Sequence, residues 1–226
     1  MPEIIKANDA VAMVKPGNSI LFGGFLAVGC TETLIEAMKE KGTGDLEMIV
    51  IATDYENRGV GILVSNRQVS RVKTSHIGTN KATQAQMNNG EIEVTLIPQG
   101  TLLEQIRAAG AGLGGVLTPT GLGTVVEEGK QILEIDGKKY ILEKPISADF
   151  AFIRAAKADK YGNLIYSKTA RNSNPIMATA AKVTIVEVDE ILEVGEISPE
   201  DVVTPGVFVD YLVLHKMTQT EVFVTK

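Results

Sequence analysis

The stretch that decides the fold is Ser19-Ile20-Leu21-Phe22-Gly23-Gly24-Phe25-Leu26-Ala27-Val28-Gly29-Cys30-Thr31. Its apolar run, residues 20–22, is typical of a buried strand, and Leu34, Ile35 and Met38 then recur at helical spacing. The glycines between them lack Cβ atoms, so the backbone can turn tightly and approach a ligand closely. The stretch therefore predicts a strand, a glycine loop over residues 23–29 and a helix over residues 31–40.

Two interpretations of this loop remain open. The helix that follows it offers unpaired N–H groups, which suit a phosphate or the pantetheine and pyrophosphate of a nucleotide-bearing cofactor. The spacing, however, is neither Gly-x-Gly-x-x-Gly nor that of a phosphate-binding Walker loop, because no Lys-Ser or Lys-Thr follows Gly29. Short connections between strands and helices also use glycine for purely structural turns.

Composition narrows the class of protein. The chain has 226 residues, 44% hydrophobic and 22% charged, which suits one soluble domain over residues 1–226 without a membrane helix. Its net charge of -6 argues against nucleic-acid binding. Cys30 is the only cysteine, which excludes an internal disulfide and a Cys-x-x-Cys metal site. The first residues lack a signal-peptide pattern, so we expect a cytoplasmic protein with no bound metal.

Strand and helix patterns alternate along most of the chain. Further apolar runs occupy residues 46–51, 72–77, 92–97, 150–153 and 183–188, and a last alternating strand is expected at 207–214. Helical patterns separate several of these runs, and another short helix is expected at 176–181. The sequence therefore predicts an α/β fold with a mostly parallel twisted sheet and helices on both faces.

One section departs from this alternation. Residues 131–135 and 139–143 flank Asp136-Gly137, a strong signal for an antiparallel hairpin, which we interpret as a small flap. Before it, residues 109–115 and 118–124 are so rich in glycine that no regular element is expected there. Long segments of this kind in a compact domain are usually functional or interfacial.

Few residues are suited to chemistry. Cys30 lies at a helix start, where a thiol pKa can fall, but a single cysteine among apolar residues usually serves packing. His76 follows a predicted strand, where it could face a ligand or be held by backbone hydrogen bonds. Gln99 precedes a helix and could cap it, or could donate to a carboxylate or thioester oxygen. Glu104 and Arg107 have the spacing of a surface ion pair, the alternative being a catalytic carboxylate.

Other polar residues leave the same choice between structure and ligand. Asn172 and Asn174 precede a predicted helix that they could cap, and Arg171 and Asn172 could instead face a ligand. Four lysines could be solvated or could reach a cofactor phosphate: Lys157, Lys160, Lys168 and Lys182. No residue is an obvious nucleophile.

Several blocks together resemble the family I coenzyme A transferases, in particular their A (alpha) subunits. The blocks are Phe22-Gly23-Gly24-Phe25, Ser75-His76-Ile77-Gly78-Thr79-Asn80, Pro98-Gln99-Gly100-Thr101-Leu102, Arg107-Ala108-Ala109-Gly110-Ala111-Gly112, Thr118-Pro119-Thr120-Gly121-Leu122-Gly123-Thr124 and Thr169-Ala170-Arg171-Asn172. They keep their order over nearly the whole chain and are jointly far more specific than any single motif.

The resemblance implies a transfer of coenzyme A between short-chain carboxylic acids, such as acetate or butyrate and acetoacetate, by a ping-pong mechanism. The attacking glutamate in this family belongs to the B (beta) subunit, whose Ser-Glu-Asn-Gly and Gly-Met-Gly-Pro motifs this chain lacks. The resemblance therefore implies no catalytic residue in this chain, a beta-subunit partner in an A2B2 assembly, and acyl-CoA as a substrate without a tightly bound cofactor.

The resemblance also implies site residues. The segment that would bind coenzyme A consists of Gly23, Gly24, Phe25, Leu26, Ala27, Val28 and Gly29. Gln99 would hold the acyl carboxylate or carbonyl, and Thr53 and Asp54 would line the same pocket. Relatives commonly carry Ser-Asn-Asn or Ser-Asn-Asp where this chain has Ala52-Thr53-Asp54, so the preferred acid could differ, with Asn57 a possible replacement for the missing amide.

A different class of function shares this broad fold. Sugar-phosphate isomerases and the non-catalytic ligand-sensing domains of regulators are also similar in architecture, and either could keep a glycine loop for a phosphosugar. No DNA-binding segment accompanies the loop in this chain.

Overall fold

The computed structural model describes residues 1–216, and its strands form two sheets. The larger sheet consists of β1 (Glu3–Ile4), β2 (Ser19–Phe22), β3 (Leu46–Ile49), β4 (Val69–Thr74), β5 (Glu93–Leu96), β9 (Ala148–Asp159), β10 (Leu164–Ile165), β11 (Ala181–Leu192) and β12 (Tyr211–Leu214). The smaller sheet consists of β6 (Val116–Thr118), β7 (Ile132–Ile135) and β8 (Lys138–Glu143). The helices are α1 (Ala7–Ala12), α2 (Glu32–Lys41), α3 (Gly61–Ser65), α4 (Lys81–Asn88), α5 (Gln99–Gly110) and α6 (Asn174–Met177).

The larger sheet is mostly parallel, as the sequence predicts. Its strand order is β1-β12-β11-β9-β2-β3-β4-β5, and every neighbouring pair along this path is parallel. The short β10 pairs antiparallel with β9. From β2 to β5 a helix follows each strand, so the carboxyl ends of these four strands and the loops that follow them lie along one edge of the sheet.

Helices cover both faces of this sheet. Ile20 and Phe22 lie in one apolar core with residues of α1 and α2, whereas Leu21 lies in a second core with residues of α5 and α6. All three side chains are at most 1% exposed. The unbroken apolar run that marks β2 in the sequence is therefore explained by burial on both sides of the sheet.

The predicted flap is confirmed as the hairpin of β7 and β8, which turns at Asp136 and Gly137 with positive φ at both residues. It gains a third strand, β6, which pairs antiparallel with β8. The expectation that the glycine-rich region holds no regular element is wrong in part, since α5 continues to Gly110 and β6 includes Thr118. The physical reason is that β8 offers a free edge with which residues 116–118 can pair.

Two other predicted elements differ from the structure. The helix expected at 176–181 is the shorter α6, because Ala181 already pairs with Ala148 of β9 as the first residue of β11. The strand expected at 207–214 is limited to β12, because a 3-10 turn at Gly206–Phe208 precedes it. Val207 is 85% exposed in that turn, so its place in the apolar alternation was misleading.

In the part of the chain that the structure describes, none of the helices has the length and apolar character needed to cross a membrane.

Candidate functional site

The candidate site lies where neighbouring parallel strands end. The glycine segment, residues 23–29, follows β2, and residues 52–60 follow the adjacent β3. Gln99 begins α5 after β5, which is three strand positions from β2, or about 14 Å at the usual spacing of neighbouring strands. The structure thus places Thr53 and Asp54 next to the glycine segment and Gln99 further along the same edge.

The glycine segment closes a hairpin of four residues. The backbones of Phe25 and Val28 exchange two hydrogen bonds, of 3.0 and 2.9 Å. The residues between them, Leu26 and Ala27, have φ of 48° and 66°, the left-handed region that costs a residue with a side chain about 1 to 2 kcal/mol. Strained backbone of this kind clusters at ligand-binding and active sites.

The glycines of this segment pack against the rest of the chain. A Cβ atom on Gly23 would lie 1.7 Å from the Asn174 Oδ1 atom, and one on Gly24 would lie 2.6 Å from the Cys30 Sγ atom. Gly24 also has φ of 112°, which residues with a side chain rarely adopt. The bare backbone at Gly23 and Gly24 therefore serves close internal packing, and the part of the segment that lines a cleft is Ala27–Gly29, where Val28 is exposed and Ala27 is buried.

Two asparagines that are distant in sequence hydrogen-bond to the glycine segment. The Gly24 N–H donates to Asn172 Oδ1 at 3.2 Å, and the Asn172 side-chain amide donates to the Val28 carbonyl at 3.0 Å. Asn174 donates to the Gly29 carbonyl at 3.1 Å. Asn172 and Asn174 thus hold the glycine segment in place. The sequence leaves open whether they cap a helix or face a ligand.

A second hairpin, which the sequence patterns do not predict, follows β3. Tyr55 and Arg58 form its antiparallel bridge, Asp54 precedes it with φ of 51° and Gly59 follows it with φ of 61°. We call residues 24–30 the first hairpin and residues 54–60 the second hairpin. They lie side by side because β2 and β3 are neighbours.

The Asp54 carboxylate joins the two hairpins. Its Oδ1 atom accepts from the Ala27 N–H at 3.1 Å, and its Oδ2 atom accepts from the Val60 N–H at 3.0 Å and from the Cys30 thiol at 3.4 Å. Burial raises the pKa of Asp54, while the N–H groups of Val60 and Ala27 act in the opposite direction. Asp54 and Thr53 are at most 1% exposed, so they lie beneath the hairpins.

A cleft of about 480 Å³ opens beside the first hairpin, lined by Ala27, Val28 and Gly29. Arg58 of the second hairpin lines it, and Arg154, in the middle of β9, also lines it. The carboxylates of Glu32 and Asp189 also line the cleft, so it combines backbone, apolar surface and charged groups of both signs.

A buried ion-pair network fixes Arg154. Its guanidinium lies 2.6 Å from Asp189 and 3.6 Å from Glu187, and it donates to the Cys30 carbonyl at 3.5 Å. Glu187 is fully buried and also accepts from the N–H groups of Thr33 and Leu34 at the start of α2. The network provides hydrogen-bond acceptors for the N–H groups at the start of α2, and it connects this helix to the end of the first hairpin.

His215 completes the Glu187 site, with its Nδ1 atom 2.5 Å from Glu187 Oε1. Sequence reasoning missed this network, although it held a signal. Arg154 and Glu187 are opposite each other in β9 and β11, and each interrupts the apolar middle of its strand. A charge inside a buried strand needs a partner, so two such strands indicate an ion pair.

The remaining predicted residues have simpler roles. Cys30 is 2% exposed, and burial together with the neighbouring Asp54 carboxylate raises its pKa well above the ordinary value, which supports the packing interpretation. Glu104 and Arg107 form an exposed ion pair at 3.2 Å, as the surface interpretation predicts. His76 and Gln99 are both exposed where β4 and β5 end. Three of the four lysines are ion-paired: Lys157 with Glu190, Lys160 with Glu193 and Lys182 with Asp149.

Within residues 1–216, no group of three or more His, Cys, Asp or Glu side chains is placed to hold a metal ion.

Comparison with known proteins adds an independent line of support. The model of the coenzyme A transferase family matches residues 4–215. The chain is 49% identical to acetate CoA-transferase subunit alpha of Escherichia coli K12, over 94% of this chain and 96% of that protein. It is 44% identical to the acetoacetyl-CoA:acetate/butyrate CoA transferase alpha subunit of Clostridium acetobutylicum, over 93% and 97% of the two chains.

Solved structures share the fold. An acyl-CoA transferase from Escherichia coli O157:H7, in a thioester complex with CoA, superposes with a TM-score of 0.84 at 23% identity. The match covers 96% of this chain and 48% of the other, so this chain spans about half the length of that transferase. Glutaconate coenzyme A-transferase from Acidaminococcus fermentans gives a TM-score of 0.80 at 22% identity, over 94% and 75% of the two chains.

Proposed function

This chain belongs to the coenzyme A transferase family, and from that premise we propose that it is the alpha subunit of an enzyme that moves coenzyme A between short-chain carboxylic acids. Acetate, butyrate and acetoacetate are the proposed acids. The observation that carries the proposal is the match, at 49% and 44% identity over more than nine-tenths of both chains, to relatives named as alpha subunits that act on these acids.

We propose that the attacking carboxylate comes from a beta subunit. It attacks the thioester carbonyl and expels the CoA thiolate, which leaves an acyl-glutamyl anhydride. The thiolate then attacks the glutamyl carbonyl, releases the first acid and forms an enzyme thioester, from which the second acid collects CoA by the reverse steps. This ping-pong sequence needs no oxidant and no metal ion.

The chemistry of the described cleft supports a carboxylate from outside. Asp189 and Glu187 are both bound by Arg154, and Asp54 is buried beneath the hairpins with three donors on its oxygens. The Cys30 thiol is buried, and its raised pKa disfavours the thiolate. None of these groups is poised as a nucleophile, which supports the proposal that a second polypeptide supplies one.

We propose that the part of the glycine segment that lines the cleft, Ala27–Gly29, contacts the coenzyme. Gln99, exposed at the first residue of α5, would donate its amide to the acyl oxygen further along the edge. Thr53 and Asp54 are buried, so we propose that they act on the substrate only indirectly, with Asp54 holding both hairpins in shape.

The experiment is reconstitution. The purified chain should show no transferase turnover with acetyl-CoA and acetoacetate, and co-purification with the product of a neighbouring beta-subunit gene should restore it. Light scattering of the active complex should give the mass of an A2B2 assembly. Robust turnover by this chain alone would contradict the proposal.

Within the active pair, Gln99→Ala should lower turnover by about 10- to 1000-fold if the amide stabilises a developing negative charge. Gln131→Ala is the matched control, because Gln131 is also exposed but lies immediately before β7 of the separate small sheet. Equal activities of the two variants would remove Gln99 from the site.

A further inference from the structure

Arg58 is unusual among the arginines of the structure. Arg67, Arg71, Arg107 and Arg154 each lie within 4.0 Å of a carboxylate oxygen. Within the described range 1–216, Arg58 and Arg171 have no such ion pair, and Arg171 is exposed to solvent whereas Arg58 is half-buried. The Nε atom of Arg58 is buried and has no hydrogen-bond partner among those residues. A half-buried guanidinium with an unused donor is unfavourable unless something else supplies an acceptor.

The backbone holds Arg58 at a fixed place. It is the last residue of the Tyr55–Arg58 bridge in the second hairpin, and the Asp54 carboxylate beneath it is already occupied by the Ala27 and Val60 N–H groups and by the Cys30 thiol. The Arg58 side chain lines the cleft that Ala27–Gly29 also line. The nearest carboxylate in the hairpins is therefore committed elsewhere, and the donors of Arg58 remain available to the cleft.

Arg154 lines the same cleft, but Asp189 and Glu187 neutralise its charge. The guanidinium of Arg58 is thus the better anion receptor. From this geometry we propose that Arg58 binds a phosphate group of the coenzyme A moiety of the acyl-CoA substrate. The inference rests on the proposed function and assigns the phosphate-bearing end of the substrate to this cleft.

Position and chemistry favour phosphate over a carboxylate of the acid. Gln99, the proposed acyl contact, lies about 14 Å along the sheet edge from the end of β2, whereas Arg58 faces the cleft beside the first hairpin. In acyl-CoA the pantetheine arm separates the thioester from the phosphates, so the two ends of one ligand can occupy the two places. A phosphate monoester carries nearly two negative charges at pH 7, and the planar guanidinium can bind it through two parallel hydrogen bonds.

The test compares Arg58→Gln with wild type in the reconstituted complex, using acetyl-CoA, acetyl-dephospho-CoA and acetyl-pantetheine as donors. We expect Arg58→Gln to raise KM for acetyl-CoA by about 10- to 100-fold with kcat within about twofold, because a charge-assisted hydrogen bond to substrate is lost. For acetyl-pantetheine, which has no phosphodiester or nucleotide, KM should be the same in both enzymes. Acetyl-dephospho-CoA then assigns the contact to the 3′-phosphate if the variant no longer differs from wild type, or to the pyrophosphate if it does.

Arg67→Gln serves as the control, since Arg67 pairs with Glu91 on the surface away from this cleft, and its KM values should match those of wild type. Arg58→Lys should recover part of the affinity for acetyl-CoA, because a lysine keeps the charge without the fork of donors. Equal losses of Arg58→Gln on acetyl-CoA and acetyl-pantetheine would overturn the inference in favour of a structural role. A loss seen with succinyl-CoA and not with acetyl-CoA would overturn it in favour of recognition of the acid. An inactive wild-type complex would instead contradict the proposed function, so the two failures are distinguishable.

Discussion

The first and second hairpins share an outline and almost nothing in sequence, and their turns differ, because Leu26 and Ala27 have positive φ whereas residues 56 and 57 do not. Each follows a parallel strand, begins with a residue of positive φ, places an aromatic residue next, closes a bridge three residues later and ends with a glycine of positive φ. In the first hairpin the opening residue is Gly24, with φ of 112°; in the second it is Asp54, with φ of 51°. Positive φ at the opening residue is thus accommodated once by a missing side chain and once by a hydrogen-bonded one.

The difference shows two ways to stabilise an unfavourable backbone. Gly24 tolerates its conformation because it has no Cβ atom, and Cys30 fills the space so gained. Asp54 is one of the few residue types that adopt positive φ at modest cost, and its carboxylate is stabilised by donors from both hairpins. The second hairpin therefore depends on a side chain that also supports the first.

The largest effect should come from Asp54→Ala, because it removes the acceptor that both hairpins share. The Ala27 and Val60 N–H groups would be left without partners, so we expect a loss of about 3 to 5 kcal/mol in the free energy of unfolding, measured by urea denaturation. Amide hydrogen exchange should accelerate at Val28 and Arg58 alike. Asp201→Ala is the control, since Asp201 is exposed and its side chain makes no hydrogen bond within the described residues. Exchange that accelerates in one hairpin only would contradict a shared role.

A smaller and one-sided effect is expected from Gly24→Ala. The new Cβ atom would lie 2.6 Å from Cys30 Sγ in a backbone with φ of 112°, so we expect a loss of about 2 to 3 kcal/mol. Gly42→Ala is a matched control: Gly42 also has positive φ, 71°, but its Cβ atom would meet nothing within 4 Å, and the expected loss is about 1 kcal/mol. Exchange should accelerate at Val28 and stay unchanged at Arg58. Equal losses for the two glycine variants would mean that Cys30 moves aside at no cost.

The contrast between the hairpins also shows which parts of the fold the sequence predicts. Residues 20–22 and the glycines that follow predict the strand, the loop and the helix, because local apolar runs and glycine spacing are written in neighbouring positions. The alternation of apolar runs predicts the parallel sheet, and Asp136-Gly137 predicts the small hairpin. These features depend on contacts that are local in sequence or on repeated patterns.

The rest of the candidate site depends on contacts between distant residues. Nothing near Asp54 in sequence reveals that its carboxylate receives the Ala27 N–H, 27 positions away. Glu187 meets the start of α2 across more than 150 positions, and Asn172 reaches Gly24 across 148. Such pairs follow from strand order, which single-sequence patterns do not determine. The resemblance to a transferase family identified the glycine segment as important, but the packing reason for Gly23 and Gly24 required the structure.

The network of Glu187 contacts the first hairpin and not the second. Glu187→Gln, which changes no residue of either hairpin, should therefore affect the first hairpin more than the second. The glutamine would keep the shape of the side chain but lose the ion pair with Arg154, whose guanidinium donates to the Cys30 carbonyl. We expect a loss of about 1 to 2 kcal/mol in unfolding free energy and faster exchange at Val28 than at Arg58. Glu190→Gln is the control, since Glu190 lies on the same strand as Glu187 but forms an exposed ion pair with Lys157. Identical effects of the two substitutions would contradict the proposed role of Glu187.

The smallest effect concerns a carboxylate at the other end of the strand that leads into the first hairpin. Asp149 accepts from the Lys182 ammonium and from the Ser19 N–H at the start of β2, and these donors lower the pKa of its carboxyl to about 2. Because the pKa is about 3.9 in an unfolded chain, this interaction stabilises the fold fully above pH 4 to 5 and is lost as the pH falls through about 2. Asp149 is partly exposed to solvent, so we expect only about 0.5 to 1 kcal/mol between wild type and Asp149→Asn at pH 6. The difference in unfolding free energy should shrink towards zero at pH 2. A difference that is independent of pH would mean that packing, and not charge, connects Asp149 to β2.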